Sequence, residues 1–287
     1  MAQIIISTTF RDFDGSSNDK MQMRFLYSLK RQTFQDFVLV ATVFGEKKVE
    51  KIVKKILGEK SEIIQDIGSE QYQFSLSKTF MNGVDYGLEN HARILVDCSS
   101  DIVLQKNFLD VVNNRIKSHT AGISHPNIFR EKTKDGEIRY IYGSIRWGID
   151  VRFYALDLFQ DEHIYGIFNE FPSYDYGAGI ETILCGIAIK YARKRYNIFM
   201  ESKVIKEENI RGGRIGIQTR FMREGARRNI PVTERFMRSE KIPQKYTSLL
   251  EMNQAYKITK GGWFYCLLVG REILDFRLQK WIDRLLG

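Results

Sequence analysis

The segment Asp97-Cys98-Ser99-Ser100-Asp101 places two carboxylates and two hydroxyls directly after an apolar run, Ile94-Leu95-Val96. Hard oxygen donors of this kind suit Mg²⁺ or Mn²⁺ bound together with a phosphorylated ligand, or hydrogen bonds to a ribose. The alternative is a plain strand end whose Asp or Ser caps the helix expected over 105–118. A second acid, Glu181, follows Gly177 and Gly179 at the expected start of a helix, in a stretch rich in aromatic residues. A carboxylate there could take a proton from a bound hydroxyl; the alternative is a first-turn acid favoured by the helix dipole. Asp175, within Tyr174-Asp175-Tyr176, is the next candidate for the same task.

Other chemistries are poorly supplied. The three cysteines (Cys98, Cys185, Cys266) form no CxxC pair, and the four histidines are scattered. A disulfide scaffold or structural zinc site is not expected, and the cysteines read as small core residues in a reducing cytoplasm. The formal charge is +9 over 287 residues, and it is uneven. Between Lys190 and Arg228 twelve basic residues face four acidic ones, which implies an anionic partner for that segment. No apolar run approaches the ~20 residues of a membrane span. The opening Met1–Phe10 lacks the form of a secretory signal and reads as a strand.

The elements that must position these residues alternate. Strands are expected over 3–7, 37–43, 61–67 and 93–96. Between and after them lie helical faces: Met21/Phe25/Leu26/Leu29, Val49/Ile52/Val53/Ile56/Leu57 stopped by Gly58, Phe80/Val84/Leu88, and Phe108/Leu109/Val112/Ile116. Four strand–helix repeats argue for an α/β, mostly parallel sheet flanked by helices. Such sheets bind ligands at the carboxyl ends of their strands, here Thr8–Arg11, Asp66 and Asp97–Asp101. Further on, Lys134-Asp135-Gly136 predicts a hairpin between strands at 123–130 and 137–142. An aromatic, glycine-containing stretch over 147–179 follows, then a helix on Ile180/Ile183/Leu184/Ile187/Tyr191. The last segment, 263–286, is amphipathic and bulky. It suits an interfacial helix, or one packed on the domain or on a second copy.

Four motifs follow one another along the chain: Ser28–Phe37 is similar to "SLxxQTxxxxE", Lys78–Val84 to an "xxxRNxGI" helix start, Asp97–Asp101 to an acidic DxD stretch and Gly179-Ile180-Glu181-Thr182 to "GxED". Together and in this order they resemble the motifs of the inverting family 2 glycosyltransferases. The resemblance covers roughly residues 3–200 and implies the GT-A, Rossmann-like nucleotide-sugar-binding fold. It implies a domain over 1–205, with 206–287 as a basic helical extension for acceptor, membrane or oligomer contacts. By the same resemblance Thr9, Phe10 and Arg11 contact the nucleoside, with Phe10 on the base and Arg11 near phosphate. Lys78 and Asn82 face the ribose or diphosphate, Asp97 and Ser99 lie near the ribose, and Asp101 is the carboxylate for a divalent metal (Mg or Mn). Glu181, with Asp175 second, is the expected base. Arg146 and Trp147 could shape the sugar or acceptor pocket, since indole faces pack on sugar rings.

The sequence also departs from that pattern. Ala41–Glu46 lacks the acidic pair expected after the second strand, so base recognition passes to Asp66. Thr182 stands where the family's aspartate base would be, and the basic segment has no histidine to serve as a further ligand. The implied function is sugar transfer from a nucleotide-sugar donor to a glycan or polyprenyl-linked glycan, in bacterial surface polysaccharide (O-antigen or capsule, lipopolysaccharide) biosynthesis. The expected location is the cytoplasm, extending to the inner face of the membrane through an anionic surface, with a homo-oligomer a further expectation and nucleic acid not a partner. The rival readings are a nucleotidyltransferase, whose Gly-rich signature is missing from Ile5–Gly15, and a nucleic-acid-binding module using the basic segment.

Overall fold

A computed structural model describes residues 2–11, 17–44, 48–65, 76–124, 128–132, 138–142, 151–170, 180–199, 201–207, 230–243 and 255–258. The expected alternation is present. Strands β1 (Ile4–Arg11), β2 (Phe37–Phe44), β3 (Ser61–Gln65) and β4 (Ile94–Cys98) are linked or followed by helices α1 (Ser17–Lys30), α2 (Lys48–Leu57), α3 (Leu76–Glu89) and α4 (Phe108–Arg115). α2 ends where Gly58 takes a positive φ of 59°.

Among the described residues eight strands form the main sheet, and the order of the strands reflects the crossovers. β3, β2, β1 and β4 lie side by side and parallel. Next come β9 (Val151–Ala155), β6 (Thr120–Ser124), β10 (Lys194–Asn197) and the short β12 (Lys257–Ile258). β9 alone runs antiparallel to its neighbours, slotted between β4 and β6. The two faces of the sheet carry separate cores. Ile4, Ile6 and Phe10 face α1, α2 and α4; Ile5, Leu95 and Tyr154 face α3 and α6 (Ile180–Tyr191). The strand residues therefore alternate between two buried faces, as in a sheet covered on both sides.

A second sheet of four strands, β5 (Ile102–Leu104), β11 (Val204–Glu207), β7 (Ile128–Lys132) and β8 (Ile138–Tyr142), begins directly after Asp101. The hairpin pairing of β7 with β8 is as expected. The single strand expected over 123–130 is instead two: β6 ends at Ser124 in the main sheet and β7 starts at Ile128 in the small one. Pro126, between them, has no N–H for a ladder bond. The stretch 147–179 holds β9 and the short helix α5 (Glu162–Gly166) between two 3-10 turns. Part of the basic segment is β10 and β11.

Within 206–287 the described residues add to the same body. A helix over 230–239 puts Phe236 and Met237 into the core beside α6, together with Ile242 and Tyr256. Gly186 permits this approach, since a Cβ there would lie 2.6 Å from the Phe236 ring. Glu240 fixes the end of the helix. It accepts a 2.5 Å hydrogen bond from the Tyr191 hydroxyl and pairs with His163 Nε2 at 2.8 Å, while Lys190 Nζ donates to its carbonyl at 3.1 Å. Burial alone would raise the Glu240 pKa. The bonds from Tyr191 and His163 and the charges of His163 and Lys190 outweigh it and hold the carboxyl below its ordinary 4.5. A depressed folded-state pKa contributes stability above the unfolded value, and that stability is lost as pH falls through the folded one. Glu240→Gln is therefore expected to lower stability by about 1–2 kcal/mol near neutral pH. Thermal unfolding from pH 7 down to 3 should show the gap to wild type constant above the ordinary value and closing below it. A gap unchanged at pH 3 would contradict this role.

No helix among the described residues is long and apolar enough to cross a membrane.

Candidate active site at the carboxyl edge

The carboxyl ends of β1 and β4, the first turn of α3 and the start of α6 converge on one edge of the main sheet, and β9 begins there because it runs the other way. Asp97 and Arg152 are directly opposite each other in the β4–β9 register. Arg152 Nε and Nη2 both reach Asp97 Oδ2 at 2.8 Å. Its third nitrogen, Nη1, lies 3.3 Å from Glu181 Oε1 in the first turn of α6, an ion-pair contact without hydrogen-bond geometry. Arg152 is only 7% exposed. Burial disfavours its charge, but the Asp97 and Glu181 carboxylates more than compensate and bind its proton more tightly than usual. Two of the expected site acids, on different elements, are thus joined by one cation.

Beneath them lie groups held neutral. Burial pushes the Cys185 thiol up to about 12 and raises the Tyr154 and Tyr256 hydroxyls. Cys185 is accordingly a core residue and not a nucleophile.

The acidic turn continues with Ser99, whose hydroxyl donates to Asp101 Oδ1. Its position is set from the last turn of α1 and the residues just after it. Ser28 Oγ accepts from the Leu104 N–H at 3.2 Å; Gln32 donates to Gln105 O at 3.0 Å and accepts from the Leu109 N–H at 3.0 Å. The Thr33 N–H donates to Lys106 O at 2.8 Å. The "SLxxQT" residues thus clamp the chain leaving Asp101 and do not themselves form the acidic edge.

α3 is held equally closely. Asn82 Nδ2 donates to Thr42 Oγ1 at 2.9 Å, and Thr42 pairs with Thr9 across β1–β2. Asn82 is half-buried, while Lys78 is exposed on the first turn. Ser7 Oγ donates to Thr79 O at 2.7 Å, and a Cβ at Gly83 would lie 2.6 Å from Ser7 Cβ. Gly83→Ala gains helix propensity yet overpacks this contact. A net loss of about 1–2 kcal/mol is expected by urea unfolding; equal or greater stability would mean that α3 is not so tightly seated.

One expected contact does not survive. Phe10 is fully buried, with its ring centroid 6.0 Å from that of Phe25, so it belongs to the core and no nucleobase can stack on it. β1 runs on to Arg11, beyond the Ser7 expected as its end, and the strand period turns Phe10 toward α1. Thr9 is half-buried at the same strand end. Asp66, Arg146, Trp147 and Asp175 lie outside the described residues, as does the side chain of Arg11.

Among the described residues no three His, Cys, Asp or Glu side chains converge as a cation cage. Asp97 Oδ2 is already engaged by Arg152. A cation that arrives with a diphosphate needs only one or two protein carboxylates. Arg152 was not foreseen. Its only sequence signal is a lone charge inside the apolar run Val151-Arg152-Phe153-Tyr154-Ala155.

No protein-family model matches the sequence, and no curated protein is significantly similar to it. Several solved structures align with the chain at low identity. A structure of residues 1–349 of S. aureus TarS is 13% identical, with a TM-score of 0.49, covering 89% of this chain and 81% of that one. The same TarS fragment in complex with UDP is 10% identical, with a TM-score of 0.44 over 86% and 74% of the two chains. A protein of Desulfovibrio desulfuricans G20 described as a candidate nucleotide-diphospho-sugar transferase is 12% identical, with a TM-score of 0.42 over 82% and 99%.

Proposed function

We propose that this chain is a GT-A-type glycosyltransferase that moves a sugar from a nucleoside-diphosphate donor to an acceptor hydroxyl. The observation that carries the reading is the pairing of a strand-end carboxylate, Asp97, with a helix-start carboxylate, Glu181, through Arg152 at the carboxyl edge of a mostly parallel sheet. The four motifs in chain order support the same reading.

In the transfer, the acceptor oxygen bonds to the anomeric carbon while the bond from that carbon to the diphosphate oxygen breaks. The electron pair leaves with the nucleoside diphosphate, and the acceptor proton passes to the Glu181 carboxylate. Attack opposite the leaving group inverts the anomeric centre. Negative charge growing on the diphosphate needs positive charge nearby, and Lys78 is assigned to it. Asp101 is the residue to hold a divalent cation brought in by the donor; such a cation would neutralise the same charge. Asp97 and Ser99 are assigned to the ribose together with Thr9 and Asn82, and Asp66 is assigned to the base. The acceptor side is assigned to Arg146 and Trp147. We further propose a glycan or polyprenyl-linked glycan acceptor in surface polysaccharide synthesis. The basic and amphipathic C-terminal third would then rest on an anionic membrane face or a second copy.

Thermal-shift screening against UDP and GDP, with and without Mn²⁺ and beside RNA and DNA, tests the reading. A stabilising nucleoside diphosphate is the expected result. Tight nucleic-acid binding with no nucleotide response would overturn it.

A further inference from the structure

The ion pair between Asp97 and Arg152 is complete without Glu181. Two guanidinium nitrogens already meet one carboxylate oxygen at 2.8 Å, and a counter-ion for a buried acid requires no more. The guanidinium nevertheless spends its remaining nitrogen on a second carboxylate, 3.3 Å away on a different element. Nη1 is buried and has no hydrogen-bond partner in good geometry among the described residues. A buried donor left in that state is unfavourable unless its setting compensates. Here the compensation is the Glu181 charge, in a contact that a small rotation would align. Catalytic hydrogen bonds are often long before substrate binds and tighten in the complex. A planar fork holds two carboxylates in fixed relative directions; an ammonium on a flexible stem, with three rotatable donors, fixes neither direction. The Glu181 side chain is 33% exposed, so one side of it meets solvent while Arg152 holds the other.

We infer that Arg152 is a positioning residue, which fixes the Glu181 carboxylate relative to Asp97 and so sets the direction from which Glu181 addresses an acceptor hydroxyl. The second half of this inference rests on the glycosyl-transfer reading; the first half is a statement about three side chains and is testable without turnover. β9 makes the arrangement available. Because it alone runs antiparallel, its second residue, not its last, stands at the edge where ligands of parallel sheets bind.

Two measurements test it. The first is a double-mutant cycle in urea unfolding of the full chain, with Arg152→Lys, Glu181→Gln and both together. A coupling of about threefold or more in the unfolding constant is expected. Should Arg152→Lys not fold, the cycle of Asp97→Asn with Glu181→Gln leaves Arg152 in place. The two carboxylates share its charge, so non-additivity of about threefold is again expected. Additive effects mean that Arg152 serves Asp97 alone, and the inference fails. The second measurement is steady-state kinetics of Arg152→Lys with whichever sugar nucleotide the wild type turns over. A fall in kcat of about 10²-fold, with donor KM within about threefold, is expected of a misaimed base. An unchanged kcat overturns the positioning role. Coupling in the cycles with no transfer by the wild type from any sugar nucleotide would sustain the bridge and remove the transfer reading.

Discussion

Glu181→Gln is expected to lower turnover by about 10²–10⁴-fold, the range spanned by loss of a general base. Donor affinity should stay within about threefold, because the substitution keeps the size of the side chain and leaves the Asp97–Arg152 pair intact. Stability should fall only modestly, because the amide takes away the charge beside Arg152 Nη1 while the Asp97–Arg152 pair stays in place. Single-turnover rates beside nucleotide binding of the same variant separate the two effects. If Glu181→Gln turns over normally and Asp175→Asn does not, the base is Asp175.

Asp101→Ala is the second large expected effect. The carboxylate sits at the turn from β4 into the small sheet, where Ser99 orients it and the Ser28, Gln32 and Thr33 clamp holds the chain on its far side. Its removal should cost transfer about 10²-fold or more, the size of losing one electrostatic contact to developing charge. The response of the thermal shift to Mn²⁺ in the presence of a nucleoside diphosphate should vanish as well. The fold should survive, since the Ser28 and Gln32 bonds to Leu104, Gln105 and Leu109 do not involve Asp101, and one turn hydrogen bond contributes only about 0.5–1.5 kcal/mol. Full activity in this variant would remove Asp101 from the site.

Most of the described elements up to α4 were readable because each helix there has a polar side, although β5 and the full length of β1 were not. Val49, Val53, Ile56 and Leu57 are buried where the period places them, and Gly58 stops the helix as its φ requires. β9 was not readable for a different reason: Arg152 interrupts its short run Val151–Ala155, so it shows neither the unbroken apolar run that marked β4 nor a polar alternation. The candidate site divides along this line. The closeness of Asp97 and Glu181 to one edge was legible from their place at the ends of legible elements. Arg152 was not, because its importance lies in a register between β4 and β9 that joins positions far apart in sequence. Phe10 misled because the length of β1, and hence which way its last residues point, depends on β2 running beside it to Phe44.

The reversed strand also constrains how the molecule can be made. β3, β2, β1 and β4 can pair once synthesis has passed Cys98, but the inner ladder of β4 then has no mate until Ala155 has emerged. β6 is made in that interval, and its native place is one strand away from β4, across the position that β9 fills. Until β9 arrives, the edges of β4 and β6 that it covers lack their native partner, and unpaired edges of this kind are prone to mispairing. A lesion that weakens β9 should therefore appear first as poor yield from the ribosome, before any loss of catalytic rate in the molecules that do fold.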